Sequence, residues 1–140
     1  MLQCKNMLRS TSLRVSRLRA GNFDLSDERE VTIQVLSGMG EIDAAAWDRN
    51  ANPDPKTYDP FVSHAFLKAL EDAECVRPET GWQPQHLILC AASGEIDGCM
   101  PVYAKSHSKG EYVFDYGWAE AYENAGGSYY PKLLAAVPFT

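Results

Sequence analysis

A chain of 140 residues can close one hydrophobic core and bury roughly two-thirds of its unfolded surface, which leaves room for one ordinary domain. Its 45% apolar content is globular, and no apolar run approaches the roughly 20 residues that cross a bilayer, so disordered, fibrous and membrane-spanning classes are excluded. The formal net charge of −6 is unevenly spread: the first twenty residues hold Lys5, Arg9, Arg14, Arg17 and Arg19 without an acid, and the body is correspondingly acidic. That balance argues against DNA or RNA as a partner, because phosphate contacts need clustered Lys and Arg on the folded face.

Residues 1–30 form a basic and then polar tail that reads as a disordered extension or as the product of an upstream start codon chosen in error, with an organelle transit peptide as the alternative. Arg residues interrupt every candidate apolar core of a secretory signal. Cys4, Cys75, Cys90 and Cys99 make no C-x-x-C pair and the histidines stand at no metal-ligand spacing beside them, so a zinc site is not expected. Scattered thiols without a secretory signal suit a reducing, cytoplasmic compartment.

Val31–Leu36 alternates in the strand period and stops at Ser37-Gly38, which predicts a first strand. Gly40–Asn50, with Ile42, Ala45, Ala46 and Trp47, predicts a short amphipathic helix ended by Asn52-Pro53-Asp54-Pro55. A second helix is capped by Asp59 or Ser63. It carries Val62, Phe66, Ala69, Leu70 and Ala73 on one face, and Lys68, Glu71, Asp72 and Glu74 on the other, with His64 at the surface.

Gln85–Ala92 and Glu95–Lys105 flank Ser93-Gly94 and predict a hairpin, in which Pro101 demands a bulge or an edge position. Tyr112–Trp118 reads as a strand with Tyr112, Phe114, Tyr116 and Trp118 on one face and Asp115 on the other. One or two helical turns follow over Ala119–Asn124, stacking Tyr122 one turn after Trp118, and Leu133–Val137 predicts a last strand. The order implies a mixed α+β fold with a mainly antiparallel sheet and two early helices on one face.

More than half of the chain's aromatic residues lie between Tyr103 and Tyr130. Two accounts fit: a sheet core with a rim of tyrosines, or a groove whose aromatic walls Tyr116, Trp118 and Tyr122 stand beside the carboxylates of Asp115, Glu120 and Glu123. His107, in Lys105-Ser-His-Ser-Lys-Gly110, is either a general base or an exposed loop residue. No nucleophile elbow, P-loop, dinucleotide fingerprint or H-E-x-x-H pattern is present.

Four segments carry a resemblance: Pro60–Glu71, Glu79-Thr-Gly-Trp-Gln-Pro-Gln-His86, Pro101–Trp118 and Gly126-Gly-Ser-Tyr-Tyr-Pro-Lys132. Together, over about Ile42 to Thr140, they resemble a bacterial family named for peptidoglycan biosynthesis or recognition, itself similar to GNAT and Fem-type acyltransferases. The resemblance implies a GNAT-like fold and transfer of an acetyl, acyl or aminoacyl group to an amine, with a small molecule or a peptidoglycan precursor as acceptor. It makes Asp115, His107 and Glu120 the candidates for catalysis, and Tyr116, Trp118, Tyr122 and Glu123 the candidates for substrate binding.

The donor implied for a full-length protein is acyl-CoA or aminoacyl-tRNA. The Gly-rich pyrophosphate loop expected for coenzyme A is absent from the sequence, and family members are longer. Residues 31–140 are therefore expected to be the N-terminal part of a domain whose C-terminal half is missing, with no cofactor site of its own and no activity alone. A non-catalytic module that recognises glycan or peptide is the alternative.

Overall fold

The computed structural model describes residues 13–14, 31–111 and 114–138. The rest of the basic tail, and Tyr112 of the expected aromatic row, lie outside the described residues. In chain order come β1 (Leu13–Arg14), β2 (Val31–Leu36), α1 (Ala44–Ala51), α2 (His64–Asp72), β3 (Trp82–Pro84), β4 (His86–Ala91) and β5 (Ile96–Met100). Then follow β6 (Val102–Lys105), α3 (Tyr116–Asn124) and β7 (Lys132–Ala135). The fold is mixed α+β, with two antiparallel sheets ordered β1-β2-β4-β5 and β3-β6-β7.

The first sheet follows from simple alternation. Leu36 faces His86 and Gln34 faces Ile88 across the β2–β4 ladder, so the buried positions of both strands fall on one face. Both early helices cover that face: Ala46 and Trp47 of α1 and Leu67 of α2 pack with Leu36, Met39, Ile42, Ile88 and Cys90. Asp43 caps α1 by accepting from Ala46 N–H, and Ser63 caps α2 by accepting from Phe66 N–H. Asp59 instead caps the single 3₁₀ turn Pro60–Val62.

The expected hairpin forms as β4 and β5, turned at Gly94 with φ +86°. Its ladder shifts register between Leu89 and Cys90, opposite Gly98 and Ile96 and away from Pro101, where no bulge forms in the ladder. Pro101, which has no N–H to donate, marks where the strand leaves one sheet for the other, because Met100 pairs with β4 and Val102 with β7. The opposite strand makes the same transfer at Gln85, whose N–H donates to Val102 O at 2.8 Å. One bent hairpin thus supplies strands to both sheets, and Val76, Trp82 and Tyr103 form a second, smaller core behind the second.

Two expectations are corrected. Along α2 the buried residues are Ser63, His64 and Leu67, with Glu71 turned inward, whereas Ala69 and Ala73 are exposed. His64 is a core histidine whose Nε2 lies 2.8 Å from Met39 O and 3.2 Å from Ile42 O, and not a surface residue. An inward-facing acid breaks the apolar stripe that periodicity seeks, so the pattern settles on neighbouring alanines.

The second correction is larger: Tyr116–Trp118 is not strand but the first turn of α3. Phe114 and Asp115 lie ahead of it in irregular backbone, so among the described residues Phe114, Tyr116 and Trp118 form no single-sided strand row. Gly126, with φ +87°, ends the helix in the left-handed conformation that favours glycine, and Gly127 N–H donates to Tyr122 O.

Candidate functional site

Asp115 stands at the N-cap of α3, where an aspartate ordinarily accepts a backbone N–H from the first turn. Here it makes no such bond. Its carboxylate is committed elsewhere: Tyr129 donates to Oδ2 at 3.0 Å, Tyr130 donates to Oδ1, and Lys132 Nζ donates to Oδ2. Lys132 also donates to the Tyr129 hydroxyl at 3.0 Å and lies over that ring, 4.2 Å from its centroid. Ser108 Oγ sits 2.8 Å from Tyr130 OH, and Tyr116 OH donates to Ser108 O at 3.3 Å.

The loop after β6, the start of α3 and the entry to β7 are therefore tied at one point. Desolvation alone would raise the Asp115 pKa, but hydrogen bonds from Lys132, Tyr130, Ser108 and Tyr129 outweigh it and hold the carboxyl well below the usual range. Lys132 is shifted up despite its own desolvation, because Asp115 and Tyr129 accept from its charged form. The Tyr130 hydroxyl is pushed up by desolvation and by the bond to Asp115. The site is an ion pair of Asp115 with Lys132 whose carboxylate is already surrounded by donors.

Around it, α3 is almost bare. Ala119 is its one buried residue, while Trp118 is 75% exposed and Tyr116 and Tyr122 about half exposed. Trp118 and Tyr122 are four residues apart and share a side of the helix, and Tyr116, Glu120 and Glu123 share another. Tyr122 is braced against Gly127, where a Cβ would come within 2.2 Å of its ring, and meets Tyr129 edge to face at 6.2 Å. Phe114 stacks on Tyr116 at 5.4 Å. The structure thus brings Asp115, Tyr116, Trp118, Tyr122, Glu120 and Glu123 onto or beside one short helix.

His107 is set apart. Its Nδ1 accepts from Lys109 N–H at 3.2 Å, its Nε2 donates towards Glu79 O at 3.3 Å, and no hydrogen bond joins it to Asp115 among the described residues. It lines a different depression, with Cys75, Glu79 and Trp82.

Sequence reasoning missed the partners of Asp115. Tyr129, Tyr130 and Lys132 were visible only as a motif, since a whole helix separates them from the carboxylate they hold. It also missed a buried link between the two sheets: His86 accepts Val102 N–H at Nδ1 and donates from Nε2 to Glu71 Oε1 at 3.0 Å. Glu71 Oε2 in turn accepts Met39 N–H at 2.8 Å. Burial, and secondarily the Glu71 charge, push the adjacent Tyr103 hydroxyl far up.

The sequence model of the FemAB-like family, described as peptidoglycan biosynthesis/recognition, matches residues 38–140. The chain belongs to the FemAB-like family. No curated protein and no solved structure matches it. The FemAB-like match takes in every element from α1 to β7, and with them the whole Asp115 network, while β1 and β2 lie before it. Its description makes the role of this FemAB-like chain peptidoglycan-related. No helix among the described residues is long and apolar enough to cross a membrane.

Proposed function

We propose that α3 and the Asp115 network form the acceptor face of an N-acyltransferase, and that the acceptor is an amine-bearing peptidoglycan precursor. The observation that carries this reading is the exposure of Trp118 and Tyr122 on a helix anchored by an ionised, fully engaged aspartate. Flat aromatic faces in water suit sugar rings and peptide backbone, which present apolar surface between polar groups. Glu120 and Glu123, exposed on the side of α3 that Tyr116 shares, supply negative charge for the acceptor's ammonium.

In such a transfer the amine nitrogen attacks the donor carbonyl carbon, loses a proton to a base, and the thiol or ribose hydroxyl of the donor departs. Asp115 is poorly suited to be that base, because three donors already occupy its oxygens and its basicity is lowered. Its role in this reading is to hold Tyr129, Tyr130 and Lys132 in place. Glu120 is the free carboxylate nearest in sequence, and acyl-CoA or aminoacyl-tRNA would be the donor.

That same saturation of Asp115 favours the second reading, a module that recognises peptidoglycan without transferring anything. Incubating the chain within the full-length protein expected from the resemblance with an amine-bearing muropeptide and each donor class, then weighing the products by mass spectrometry, separates the two. An acylated muropeptide that is lost with Glu120→Gln supports transfer. Binding without any mass gain from either donor would leave recognition standing and end the transferase reading.

A further inference from the structure

We propose that the outer edge of β7 joins two copies of this chain, pairing antiparallel with itself about a two-fold axis so that the second sheet runs on from one copy into the other. The main-chain pattern of β6 decides which groups of β7 are free. Val102 O accepts from Gln85 N–H, Val102 N–H donates to His86 Nδ1, and Ser106 N–H donates to Gly81 O, so Val102, Ala104 and Ser106 turn their main chain away from β7. Tyr103 and Lys105 therefore turn theirs towards it, where they face Leu134 and Lys132. Leu133 and Ala135 are left with N–H and C=O groups aimed out of the sheet, and among the described residues nothing bonds to them there.

The side chains at this edge are equally unguarded. Leu133 is 73% exposed and Ala135 is exposed beside it, on the face that Ala104 shares. The first sheet shows the opposite treatment at its β5 edge, where the register shift leaves Asp97 as an exposed extra residue and Pro101 follows the strand. β7 pairs without a shift and holds no proline. Its one charge, Lys132, projects from the other face and is bound to Asp115.

The occupant is a second copy because the edge fits itself. With Leu133 opposite the second copy's Ala135, and Ala135 opposite its Leu133, each opposed pair exchanges both N–H···O bonds. In that register Pro131 stays outside the ladder and Lys132 meets Ala136 instead of another lysine. A charged peptide would find no counter-charge on Leu133, Ala135 or Ala104. This interface stands independently of the acceptor face.

The test is a sedimentation series on the 140-residue chain, run from about 10 μM to 1 mM, where an interface of this small size associates. Wild type is expected to pass from monomer to dimer, and the Leu133 and Ala135 amides to gain protection from hydrogen exchange as it does. Leu133→Lys, a change at an exposed position, should weaken the dimer about tenfold or more, while Trp118→Ala leaves it unaltered and so separates this edge from α3. A chain that stays monomeric throughout, that dimerises as well with Leu133→Lys, or that forms larger assemblies in place of a dimer would overturn the proposal. Protection of the Leu133 and Ala135 amides in the monomer would also overturn it, by showing that another segment of the same chain covers the edge.

Discussion

The two ends of this molecule bury their aromatic residues differently. Beneath the first sheet, Trp47 is fully enclosed and its indole N–H donates to Val62 O at 2.9 Å. At the second sheet, Trp118 is three-quarters exposed on a helix with one buried residue. Both are tryptophans on short helices, yet one closes a core and the other covers nothing. The contrast teaches that α1 and α2 are held by packing, whereas α3 is held by its ends: the Asp115 network before it and Gly126 and Gly127 after it. A helix fixed in that way keeps its sides free for a ligand.

The sharpest way to break the contrast is at Trp47. Trp47→Ala should cost about 3–5 kcal/mol in urea unfolding, the range for emptying a fully buried aromatic site. A loss below about 1 kcal/mol would mean that the first core is not the rigid part. Glu71→Gln comes next, because Glu71 accepts from both Met39 N–H and His86 Nε2–H and an amide has only one acceptor oxygen. A cost of about 1–3 kcal/mol is expected, with a change in the His86 ring N–H resonance as the local reporter.

The Asp115 network should reveal itself through pH. A carboxyl whose folded pKa lies below the unfolded value near 3.8 contributes stability above that pH, and loses it as pH falls towards the folded value. Lys132, raised in the folded state from 10.5, contributes below that pH and loses the contribution as pH rises through its folded value. The stability gap between wild type and Asp115→Asn should therefore be widest between about pH 5 and 9 and narrow on the acid side below about pH 4. A gap that stays constant down to about pH 2 would contradict the assigned network.

The smallest effect on stability is expected at Trp118, the most exposed large hydrophobic side chain among the described residues. Trp118→Ala should change the unfolding free energy by no more than about 0.5 kcal/mol, as for a surface position. Gly127→Ala sharpens the point, since its Cβ must displace the Tyr122 ring while leaving both cores untouched. Loss of the Tyr122–Tyr129 contact in nuclear Overhauser spectra, at nearly unchanged thermal midpoint, is the expected result.

These differences also explain what the sequence could tell. Val31–Leu36 was legible because its apolar residues alternate, an image of a half-buried sheet, and the β4–β5 hairpin because Ser93-Gly94 separates two apolar runs. α3 was misread at its start because periodicity assumes that aromatic residues face inward. Tyr116 and Trp118 do not, so their two-residue spacing carried no information about the backbone. Asp115 was legible as a candidate, but its chemistry was not, since the donors that occupy it arrive from Tyr129, Tyr130 and Lys132 across the full length of a helix. His107 was legible as a candidate too, but not its contacts with Glu79 O and Lys109 N–H, which arise from the fold of the loop after β6.

The central claim is that α3 is a binding face, and a calorimetric titration of wild type and Trp118→Ala with an amine-bearing muropeptide tests it most directly. Wild type is expected to bind saturably, and the variant to lose about tenfold or more in affinity with its unfolding curve unchanged, as for an exposed aromatic anchor. Equal affinity in the two proteins would contradict the assignment of α3 as the face that meets the acceptor.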